Sequence, residues 1–388
     1  MTDTPASETT YRHRLDERLE RLANRPGATI RRVVRGSRGA FPTLVHERLT
    51  ALGLAESLPD GEPARVEPPD TIGKPELHPL DFEWYFTDDT VRSLVRTLGD
   101  AGDRVLCLGT PTVAVGLARA GVPVTLVDRN PLFRMRLDDV PEPLTFVNQD
   151  LTEPIDAETA FPVVFLDPPW YPEHTHSWLA SACRHVAADG RIYVATFPPL
   201  VRPAAATQRS ELFDTIRHVG SLSVDDDALV YYTPPFERAV LEHSDVPVIS
   251  DWRRGDLVRI DVRDPSALPD PPRVETGSDW ETFVTNGRVV KLRTTVSGAA
   301  SEPLAPIDGC EDYVLPSVSR RDARRNHVDL WTSRNRVAAV GNRSVVAEAL
   351  ELLEDGGSVS ELRPAAFSVS IDEPTLERLA TRLEAVLA

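Results

Sequence analysis

The chain has 388 residues, of which 41% are hydrophobic and 27% charged, and its formal net charge is −17 at pH 7. Its length predicts two or three soluble domains. Because no run of about 18 apolar residues occurs, no membrane span is predicted. Because the first residues are polar, no secretory signal is predicted. Three scattered cysteines, Cys107, Cys183 and Cys310, predict a cytoplasmic protein without disulfides or a cysteine-ligated metal.

The N-terminal region, residues 1–70, is predicted to be a small helical module followed by a linker. Residues 11–24 are charged and helical, with three leucines at i, i+4 and i+7 spacing. A second helix is expected near residues 42–54, and residues 57–76, rich in Pro, Glu and Gly, are typical of a linker. The pattern fits either a winged-helix-like module or a helical cap on the domain that follows.

Strand and helix patterns alternate over residues 71–240. One helix begins at Thr87 or Asp88, and the next begins at Thr110-Pro111, since threonine caps a helix and proline suits its first position. Near-continuous apolar strands separated by helices predict a mostly parallel sheet, and therefore a Rossmann-like, doubly wound α/β domain. The strands are expected at residues 104–108, 122–127, 144–147, 162–166 and 191–197, with a further helix at residues 174–187.

The pattern changes after this domain. Residues 256–262 and 281–295 alternate apolar and polar side chains, which predicts short antiparallel strands. Residues 344–354 and 373–387 have the spacing of amphipathic helices. We therefore expect a mixed α/β region over residues 241–388.

Several polar or small residues follow the predicted strands, at the edge where open α/β sheets bind ligands. Gly109 would let a ligand approach the backbone, and the helix that begins at Thr110 presents free N–H groups. Asp128 is placed to accept hydrogen bonds from ribose hydroxyls, and Asp150 from an adenine amino group. This spacing fits a nucleoside cofactor, while the alternative is that both acids are ordinary turn residues.

The sequence VVFLDPPWYPE carries the strongest signal. Two prolines cannot continue a strand ladder, so the chain leaves the sheet at Asp167. The rigid turn would aim the Asp167 carboxylate and the Pro168 carbonyl into one cleft as acceptors for an exocyclic amine, beside the flat face of Trp170. The alternative is a proline-rich loop with a buried tryptophan. The candidate catalytic residues are Asp167, Pro168, Pro169 and Trp170.

This motif resembles the fourth motif of the S-adenosylmethionine-dependent class I amino-methyltransferases, the N6-adenine and N4-cytosine type. The resemblance covers residues 75–240 and implies S-adenosyl-L-methionine as the cofactor. It also implies that Asp167 and the Pro168 carbonyl hold the target amine while Trp170 stacks on a flipped base.

The cofactor region matches that family less well. The segment EWYFT, which ends at Phe86 and Thr87, looks like the part that closes over the cofactor, so these two residues are implied as cofactor contacts. The first motif reads CLGTPT around Gly109, without the family's acid-x-Gly-x-Gly. This departure leaves open a non-catalytic binding module on the same fold.

A weaker resemblance links the chain to the branched-chain polyamine synthases, which share a helical N-terminal module, an FTxxT segment, a Leu-Gly motif and an Asp-Pro-Pro. That family carries Gly-Asp-Asp-Asp after the first strand to hold a polycation, whereas this chain has Gly-Thr-Pro-Thr. Its own acidic triplet, Asp225-Asp226-Asp227, is expected in a loop before a later strand. This resemblance implies aminopropyl or methyl transfer to a small amine.

A basic segment, residues 318–345, stands out in an acidic chain because it carries seven Arg against two Asp. With Trp331 it predicts either a phosphate- and base-binding surface or a salt-bridged surface. The candidate substrate-binding residues are Tyr171, Arg320, Arg321, Arg324 and Arg325. The pair His174 and His176 is too sparse for a metal site, so none is predicted.

The sequence thus predicts a methyltransferase that acts on an exocyclic amine, most simply adenine N6 in nucleic acid. Three alternatives stay open: transfer to a small amine, a non-catalytic module, and an enzyme acting on a carrier-bound or peptide substrate.

Overall fold

A computed structural model describes residues 5–62, 75–81, 83–133, 142–157, 160–244, 246–272, 274, 279–296, 302–319, 322–354 and 356–388. Contacts divide the chain into two units. The first unit is Met1–Gly73, Trp84–Thr233 and Ile249–Thr276, and the second is Lys74–Glu83, Pro234–Val248 and Gly277–Ala388. In the described ranges, no helix has both the length and the apolar character needed to cross a membrane.

The first unit begins with helices α1 (Pro5–Ala23), α2 (Ile30–Arg35) and α3 (Pro42–Ala51). Helices α1 and α3 confirm the two predicted helices. Helix α2 was not predicted; the Thr29 hydroxyl accepts a hydrogen bond from the Arg32 amide and caps it.

These helices pack against the rest of the first unit. The buried Tyr11 hydroxyl donates a hydrogen bond to the Leu200 carbonyl at 3.0 Å. The ring of Phe41 packs edge-on against Trp252, with 5.3 Å between the ring centroids. Residues 5–62 contain no strand. Over residues 5–62 the N-terminal region is therefore helical and packs against the rest of the first unit, without the strands of a winged helix.

The described residues of the first unit form a seven-stranded sheet in the order β3-β2-β1-β4-β5-β7-β6. Strands β1 to β5 pair in parallel, and β7 runs antiparallel to both of its neighbours, β5 and β6. The predicted Rossmann-like, doubly wound and mostly parallel sheet is confirmed. The strands are β1 (Val105–Leu108), β2 (Val124–Asp128), β3 (Leu144–Asn148), β4 (Phe161–Leu166), β5 (Val186–Thr196), β6 (Gly220–Val230) and β7 (Arg254–Val262).

Helices α4 (Asp88–Ala101), α5 (Pro111–Arg119), α6 (Pro172–His185) and α7 (Ala205–Val219) complete this unit. The first three were predicted. Helix α7 was not, although its buried side chains Leu212, Ile216 and Val219 have the i, i+4, i+7 spacing of an amphipathic helix. All four residues of β1 are buried, as expected for a strand covered on both faces.

Strand β7 lies outside the region that the sequence assigned to the parallel-sheet domain, residues 71–240. Its polar and apolar residues alternate, so the sequence shows an antiparallel strand but not the sheet it joins. In the structure it is inserted between β5 and β6.

The acidic triplet lies in β6 and not in a loop, which corrects the prediction. The register of β6 shifts between Asp225 and Leu229, and Asp227 takes a left-handed φ of +57° at this bulge. The bulge places Asp226 and Asp227 within 3.0 and 3.2 Å of the Arg38 guanidinium.

A buried carboxylate, Asp256, lies at the centre of this charge cluster. It is 0% exposed, accepts a hydrogen bond from the Asp227 amide, and pairs with Arg209 at 2.8 Å and Arg38 at 3.2 Å. Burial raises the pKa of Asp256, against the lowering effects of the Asp227 amide and the two guanidinium groups. The cluster ties the helical cap to strands β6 and β7.

The second unit contains helix α8 (Pro235–His243) and a five-stranded sheet in the order β10-β12-β11-β9-β8, antiparallel at each described pairing. Helices α9 (Arg343–Glu354) and α10 (Glu373–Leu387) share a hydrophobic core with these strands. The predicted antiparallel strands and both amphipathic helices are confirmed. The strands are β8 (Trp280–Thr285), β9 (Arg288–Arg293), β10 (Leu304–Ala305), β11 (Leu330–Thr332) and β12 (Val337–Val340).

All three cysteines are buried free thiols. Burial raises the pKa of Cys107 and Cys183 to about 12 and that of Cys310 to about 11. None is therefore a nucleophile near neutral pH.

Candidate active site at the switch point of the sheet

The strand order reverses between β1 and β4, because the chain runs from β1 outward to β3 and then returns to β4 on the other side of β1. Such a switch point is the usual ligand crevice of an open α/β sheet. Gly109 follows β1, Asp128 ends β2, Asp150 follows β3 and Asp167 follows β4. The four predicted residues therefore lie along one edge of the sheet, as expected.

Gly109 has a left-handed φ of +64°, which favours glycine. A Cβ at this position would lie 2.5 Å from two ring atoms of Trp178, which is on α6. Glycine is thus required here by the backbone and by the packing of Trp178, in addition to any ligand.

We expect Gly109→Ala to lower the free energy of unfolding by about 2 kcal/mol, since a left-handed φ costs an L residue about 1–2 kcal/mol and Trp178 must also shift. Chemical denaturation measures the change. Gly121→Ala is the matched control, because Gly121 has a φ of +79° and no atom within 4 Å of its Cβ position. Equal losses in the two variants would show that the Trp178 contact adds nothing.

Thr110 precedes α5, and Pro111 takes the first position of the helix as predicted. The Thr110 side chain does not cap the helix. The residue is 2% exposed, and its hydroxyl has no nitrogen or oxygen partner among the described residues, although it lies close enough to the Cys107 thiol to lower the pKa of that group. A buried hydroxyl whose neighbour is a weakly bonding thiol, beside a helix N-terminus at the switch point, fits a site that a polar ligand completes.

The two outer acids are tied into turns to different extents. Asp128 is 8% exposed, and one of its carboxylate oxygens accepts a hydrogen bond from the Asn130 amide at 2.8 Å. Asp150 accepts hydrogen bonds from the amide and the hydroxyl of Thr152 and lies 3.7 Å from Arg129. Both carboxylates thus hold turns at this edge, and their contacts with a nucleoside stay predictions.

Phe86 and Thr87 lie behind the site. Phe86 is 1% exposed, and its ring packs 4.6 Å from the Tyr231 ring and 6.1 Å from the Phe165 ring. The Thr87 hydroxyl donates a hydrogen bond to the Thr90 hydroxyl and does not cap α4. In this structure both residues support Tyr231 and α4 from within the core.

Asp167 leaves the sheet at the end of β4, with its amide bonded to the Leu108 carbonyl of β1. Its carboxylate accepts a hydrogen bond from the Tyr231 hydroxyl at 2.9 Å. Desolvation raises the pKa of Asp167 to about 7, although the Tyr231 hydrogen bond and the nearby Arg253 guanidinium both lower it. Burial thus brings the pKa of the Asp167 carboxyl group close to neutrality.

The prolines shape the turn after Asp167. The Pro169 carbonyl accepts a hydrogen bond from the Tyr171 amide, and Tyr171 precedes α6. No described residue donates to the Pro168 carbonyl. The Pro168 carbonyl can therefore still accept a hydrogen bond, and its pairing with the Asp167 carboxylate around one amine stays a prediction. The Tyr171 ring lies under Arg202, with the guanidinium carbon 5.6 Å from its centroid.

Trp170 is 6% exposed, so little of its indole is open to a planar base. The Arg253 guanidinium carbon lies 3.9 Å from the centroid of the Trp170 ring system and 4.0 Å from that of Trp84. The edge of Tyr231 meets Trp170 at an interplanar angle of 86°. The ring that was predicted to stack on a base thus stacks on an arginine of the same chain.

Tyr231 and Arg253 are site residues that the sequence did not reveal as such, whereas Trp84 belongs to the EWYFT segment that the sequence singled out. Tyr231 directly follows β6, which is parallel to β5 because both are antiparallel to β7. Arg253 directly precedes β7. The end of a parallel strand and the start of an antiparallel one lie at the same edge of a sheet. If the position of β7 had been known, Tyr231 and Arg253 could therefore have been placed at the edge that carries Asp167.

The arginines predicted to bind substrate belong to the second unit. Arg320 and Arg321 lie outside the described residues. Arg324 pairs with Asp322 through two hydrogen bonds, and Arg325 lies over the Trp331 ring and donates to the Val318 carbonyl. Trp331 is 1% exposed and cannot stack on a base. The basic segment is thus a salt-bridged surface where it is described. The described residues also hold no cluster of three or more side chains able to ligate a metal.

We expect the free energy of unfolding of Tyr231→Phe to keep falling to a higher pH than that of wild type. Because Asp167 stays protonated up to about pH 7 when folded but ionises near its ordinary pKa when unfolded, stability from this group is present in acid and is lost as the pH rises to about 7. Removing the Tyr231 hydrogen bond raises this pKa further. Urea unfolding from pH 4 to 9 measures the difference from wild type. Asp167→Asn is the control, since it lacks the ionising group and should not show this pH dependence. If the pH profile of Tyr231→Phe equals that of wild type, the Tyr231 hydroxyl does not lower the pKa of Asp167.

No protein-family model matches the chain, and no curated protein matches its sequence. Among solved structures it is similar to the branched-chain polyamine synthase of Thermus thermophilus in complex with N4-aminopropylspermidine and 5'-methylthioadenosine. The two chains are 20% identical with a TM-score of 0.52, and the match covers 70% of this chain and 95% of that chain. A mutein of that enzyme gives 19% identity, a TM-score of 0.54 and the same coverage. An rRNA methylase from Streptococcus thermophilus is more distant, with 11% identity, a TM-score of 0.30, and coverage of 45% of this chain and 95% of that chain. At these identities the similarity shows the fold alone, a Rossmann-like α/β fold shared with the polyamine synthases.

Proposed function

We propose that the first unit transfers a methyl group from S-adenosyl-L-methionine to an exocyclic amine, with adenine N6 in nucleic acid as the first acceptor to test. The observation that carries this proposal is the position of Asp167, whose carboxyl group lies at the switch point beside the Tyr231 hydroxyl and whose pKa is raised by burial to about 7. The Pro168 carbonyl next to it is a second acceptor for the same amine. Nitrogen alkylation needs such acceptors, because the nitrogen must be oriented and must lose a proton.

The residues at the ends of β1 and β2 fit a nucleoside-bearing donor. The buried Thr110 hydroxyl and the N-terminus of α5 would bind its polar groups, and the buried Asp128 carboxylate would accept hydrogen bonds from its ribose. When bound, a sulfonium donor supplies an electrophilic carbon for the amine nitrogen. The bond from this carbon to sulfur breaks as the bond to nitrogen forms, and the sulfur becomes a neutral thioether.

Asp167 then acts on the amine alone. Its carboxylate and the Pro168 carbonyl accept the two N–H bonds of a neutral amine and aim the nitrogen lone pair away from themselves. As the new N–C bond forms, the nitrogen becomes positively charged and releases one proton to Asp167. Transfer should therefore increase as the pH rises through about 7, where Asp167 ionises.

A second candidate function is aminopropyl transfer to a small aliphatic amine. It is favoured by the fold similarity, which extends over 95% of the polyamine synthase chains, well beyond a bare parallel-sheet core. The product distinguishes the two functions, since one adds a methyl group and the other an aminopropyl group.

The testing experiment starts with calorimetric titration of the full-length protein with S-adenosyl-L-methionine and with its decarboxylated form. Asp128→Ala should weaken binding of the preferred donor, and Asp128→Asn is the sharper variant because its amide oxygen can still accept from the Asn130 amide and preserve the turn. A screen with donor labelled in the transferred group follows, using adenosine oligonucleotides and aliphatic amines as acceptors. If neither donor binds, the proposed function is wrong.

A further inference from the structure

A short segment of the first unit, residues 251–256, contacts both the helical cap, residues 5–62, and the side chains around Asp167. Three of its residues contact the part of the cap that joins α2 to α3. These contacts are Asp251 with Arg35 at 2.8 Å, Trp252 with Phe41 at 5.3 Å between ring centroids, and Asp256 with Arg38 at 3.2 Å. The start of β7 is thus held by the cap through two ion pairs and one ring contact.

Other residues of the same segment contact the site. The Arg253 guanidinium carbon lies 4.0 Å from the centroid of the Trp84 ring and 3.9 Å from that of Trp170. The carbonyl of Arg253 accepts a hydrogen bond from the Tyr231 amide at 3.0 Å. A Cβ at Gly255 would lie 3.1 Å from the Trp170 ring and 3.3 Å from the Tyr231 ring. The position of this segment therefore sets the positions of the residues that pack around the site.

Asp167 is sensitive to these positions. Its carboxylate accepts the hydrogen bond of the Tyr231 hydroxyl at 2.9 Å. An O–H···O hydrogen bond forms at about 2.5–3.0 Å, so a shift of about 1 Å in Tyr231 would break it. Tyr231 and Arg253 both lower the pKa of Asp167, against the larger effect of desolvation. Loss of either neighbour would therefore raise this pKa further.

We propose that Arg35, in the helical cap, is a positioning residue of the site. Its ion pair with Asp251 fixes the segment 251–256. This segment in turn keeps the Tyr231 hydroxyl on the Asp167 carboxylate. The inference rests on the proposed function in one respect, that Asp167 takes a proton from the acceptor amine.

The pair of Arg35 with Asp251 is the cap contact best suited to this role. The Arg35 Nε donates a hydrogen bond to Oδ1 of Asp251, and Nη2 lies 2.8 Å from the same oxygen. The two side chains are only 23% and 14% exposed, so solvent screens this pair less than an exposed one. Asp251 is two residues from Arg253, a chain length that spans at most about 7 Å. Asp256 depends less on the cap, because Arg209 of α7 also pairs with it at 2.8 Å.

The test measures the ionisation of Asp167 in variants of the full-length protein that lack this pair. Arg35→Met keeps a long side chain without the charge, and Asp251→Leu keeps a branched side chain without the charge or the acceptor oxygens. We expect both variants to raise the pH at which Asp167 ionises by at least about 0.5 pH unit, because the groups that lower its pKa are no longer held in place. Carbon NMR of protein labelled at the aspartate carboxyl carbons follows the ionisation from pH 5 to 9. The Asp167 signal is the one that is absent from Asp167→Asn.

The two variants change the net charge in opposite directions, which separates positioning from direct electrostatics. Removing the positive charge of Arg35 would by itself raise the pKa of a carboxyl group, whereas removing the negative charge of Asp251 would lower it. A shift of the Asp167 ionisation to higher pH in Asp251→Leu therefore supports positioning. Asp251→Asn keeps one acceptor oxygen and is the milder second variant, with an expected shift in the same direction and of smaller size.

Arg48→Gln is the matched control. Arg48 pairs with Asp16 at 2.8 Å within the cap, with side chains 19% and 21% exposed, and neither residue belongs to the segment 251–256. This variant should be less stable than wild type, yet its Asp167 should ionise at the wild-type pH. If the Asp251 variants behave in the same way, or if their Asp167 ionises at a lower pH, the inference is overturned.

These titrations need neither donor nor turnover. Failure of the proposed function would show as the absence of donor binding and of transfer to every acceptor. The effect of Arg35 and Asp251 on the ionisation of Asp167 would still be measured, so the two failures are distinguishable.

Discussion

Asp167→Asn is expected to lower kcat/KM by about 10²–10⁴-fold with the acceptor that the screen identifies, while donor affinity stays within about twofold of wild type. The asparagine keeps the size of the side chain and an oxygen that can accept the Tyr231 hydrogen bond. It loses the negative charge and the ability to take a proton from the amine. The loss should therefore appear in kcat, because the missing interaction strengthens as the nitrogen becomes charged.

Glu173→Gln is the matched control for this variant. Glu173 lies in the first turn of α6, six residues after Asp167. Its substitution by Gln therefore removes one carboxylate from the same part of the chain. Its kcat/KM should stay within about twofold of wild type. Steady-state rates across pH 5.5–8.5 add a second check, since the increase near pH 7 should disappear in Asp167→Asn. Full activity in that variant would rule out Asp167 as the proton acceptor.

The second large effect is on stability. Asp256→Ala should lower the free energy of unfolding by about 3–5 kcal/mol, because it leaves two poorly exposed guanidinium groups without their shared buried carboxylate. The side chains of Arg209 and Arg38 are only 11% and 15% exposed, so neither reaches water easily. The Asp227 amide also loses its acceptor at the bulge of β6. Urea denaturation at constant pH measures the change.

Asp261→Ala is the control on the same strand. Asp261 pairs with Arg259 at 2.6 Å, but the two side chains are 46% and 43% exposed. Exposed pairs of this kind contribute about 1 kcal/mol or less, so this variant should be close to wild type. A loss below about 1 kcal/mol in Asp256→Ala as well would mean that Arg38 and Arg209 find water or other partners when the carboxylate is removed.

Much of the first unit could be predicted because its signals are local. Apolar runs mark buried parallel strands, and a Thr-Pro pair marks a helix start. Gly109, Asp128 and Asp167 could be placed at one edge because the ends of consecutive parallel strands meet there. The Asp-Pro-Pro-Trp turn was found for the same reason, since proline cannot continue a strand.

The parts that could not be predicted depend on contacts between residues far apart in the chain. Tyr231 and Arg253 reach Asp167 only because β7 enters the sheet between β5 and β6, and no local pattern encodes that choice. The surroundings of Trp170 follow from the same insertion. The arginines of the basic segment, residues 318–345, could not be interpreted for a related reason. The sequence shows the charge of an arginine but not its partner, and Arg324 pairs with Asp322 of its own segment.

The position of β7 also bears on how the molecule is made. Strands β5 and β6 are synthesised first, yet neither can complete its pairing until residues 254–262 have left the ribosome. Until then, two strands of 11 residues each present unpaired edges to the cell, the condition under which nascent chains associate with one another. Strand β7 is thus the last of these three to be synthesised, although it lies between the other two in the sheet. Because non-local pairing of this kind is slow, we expect the unpaired edges of β5 and β6 to stay exposed to association for longer than those of the parallel strands before them.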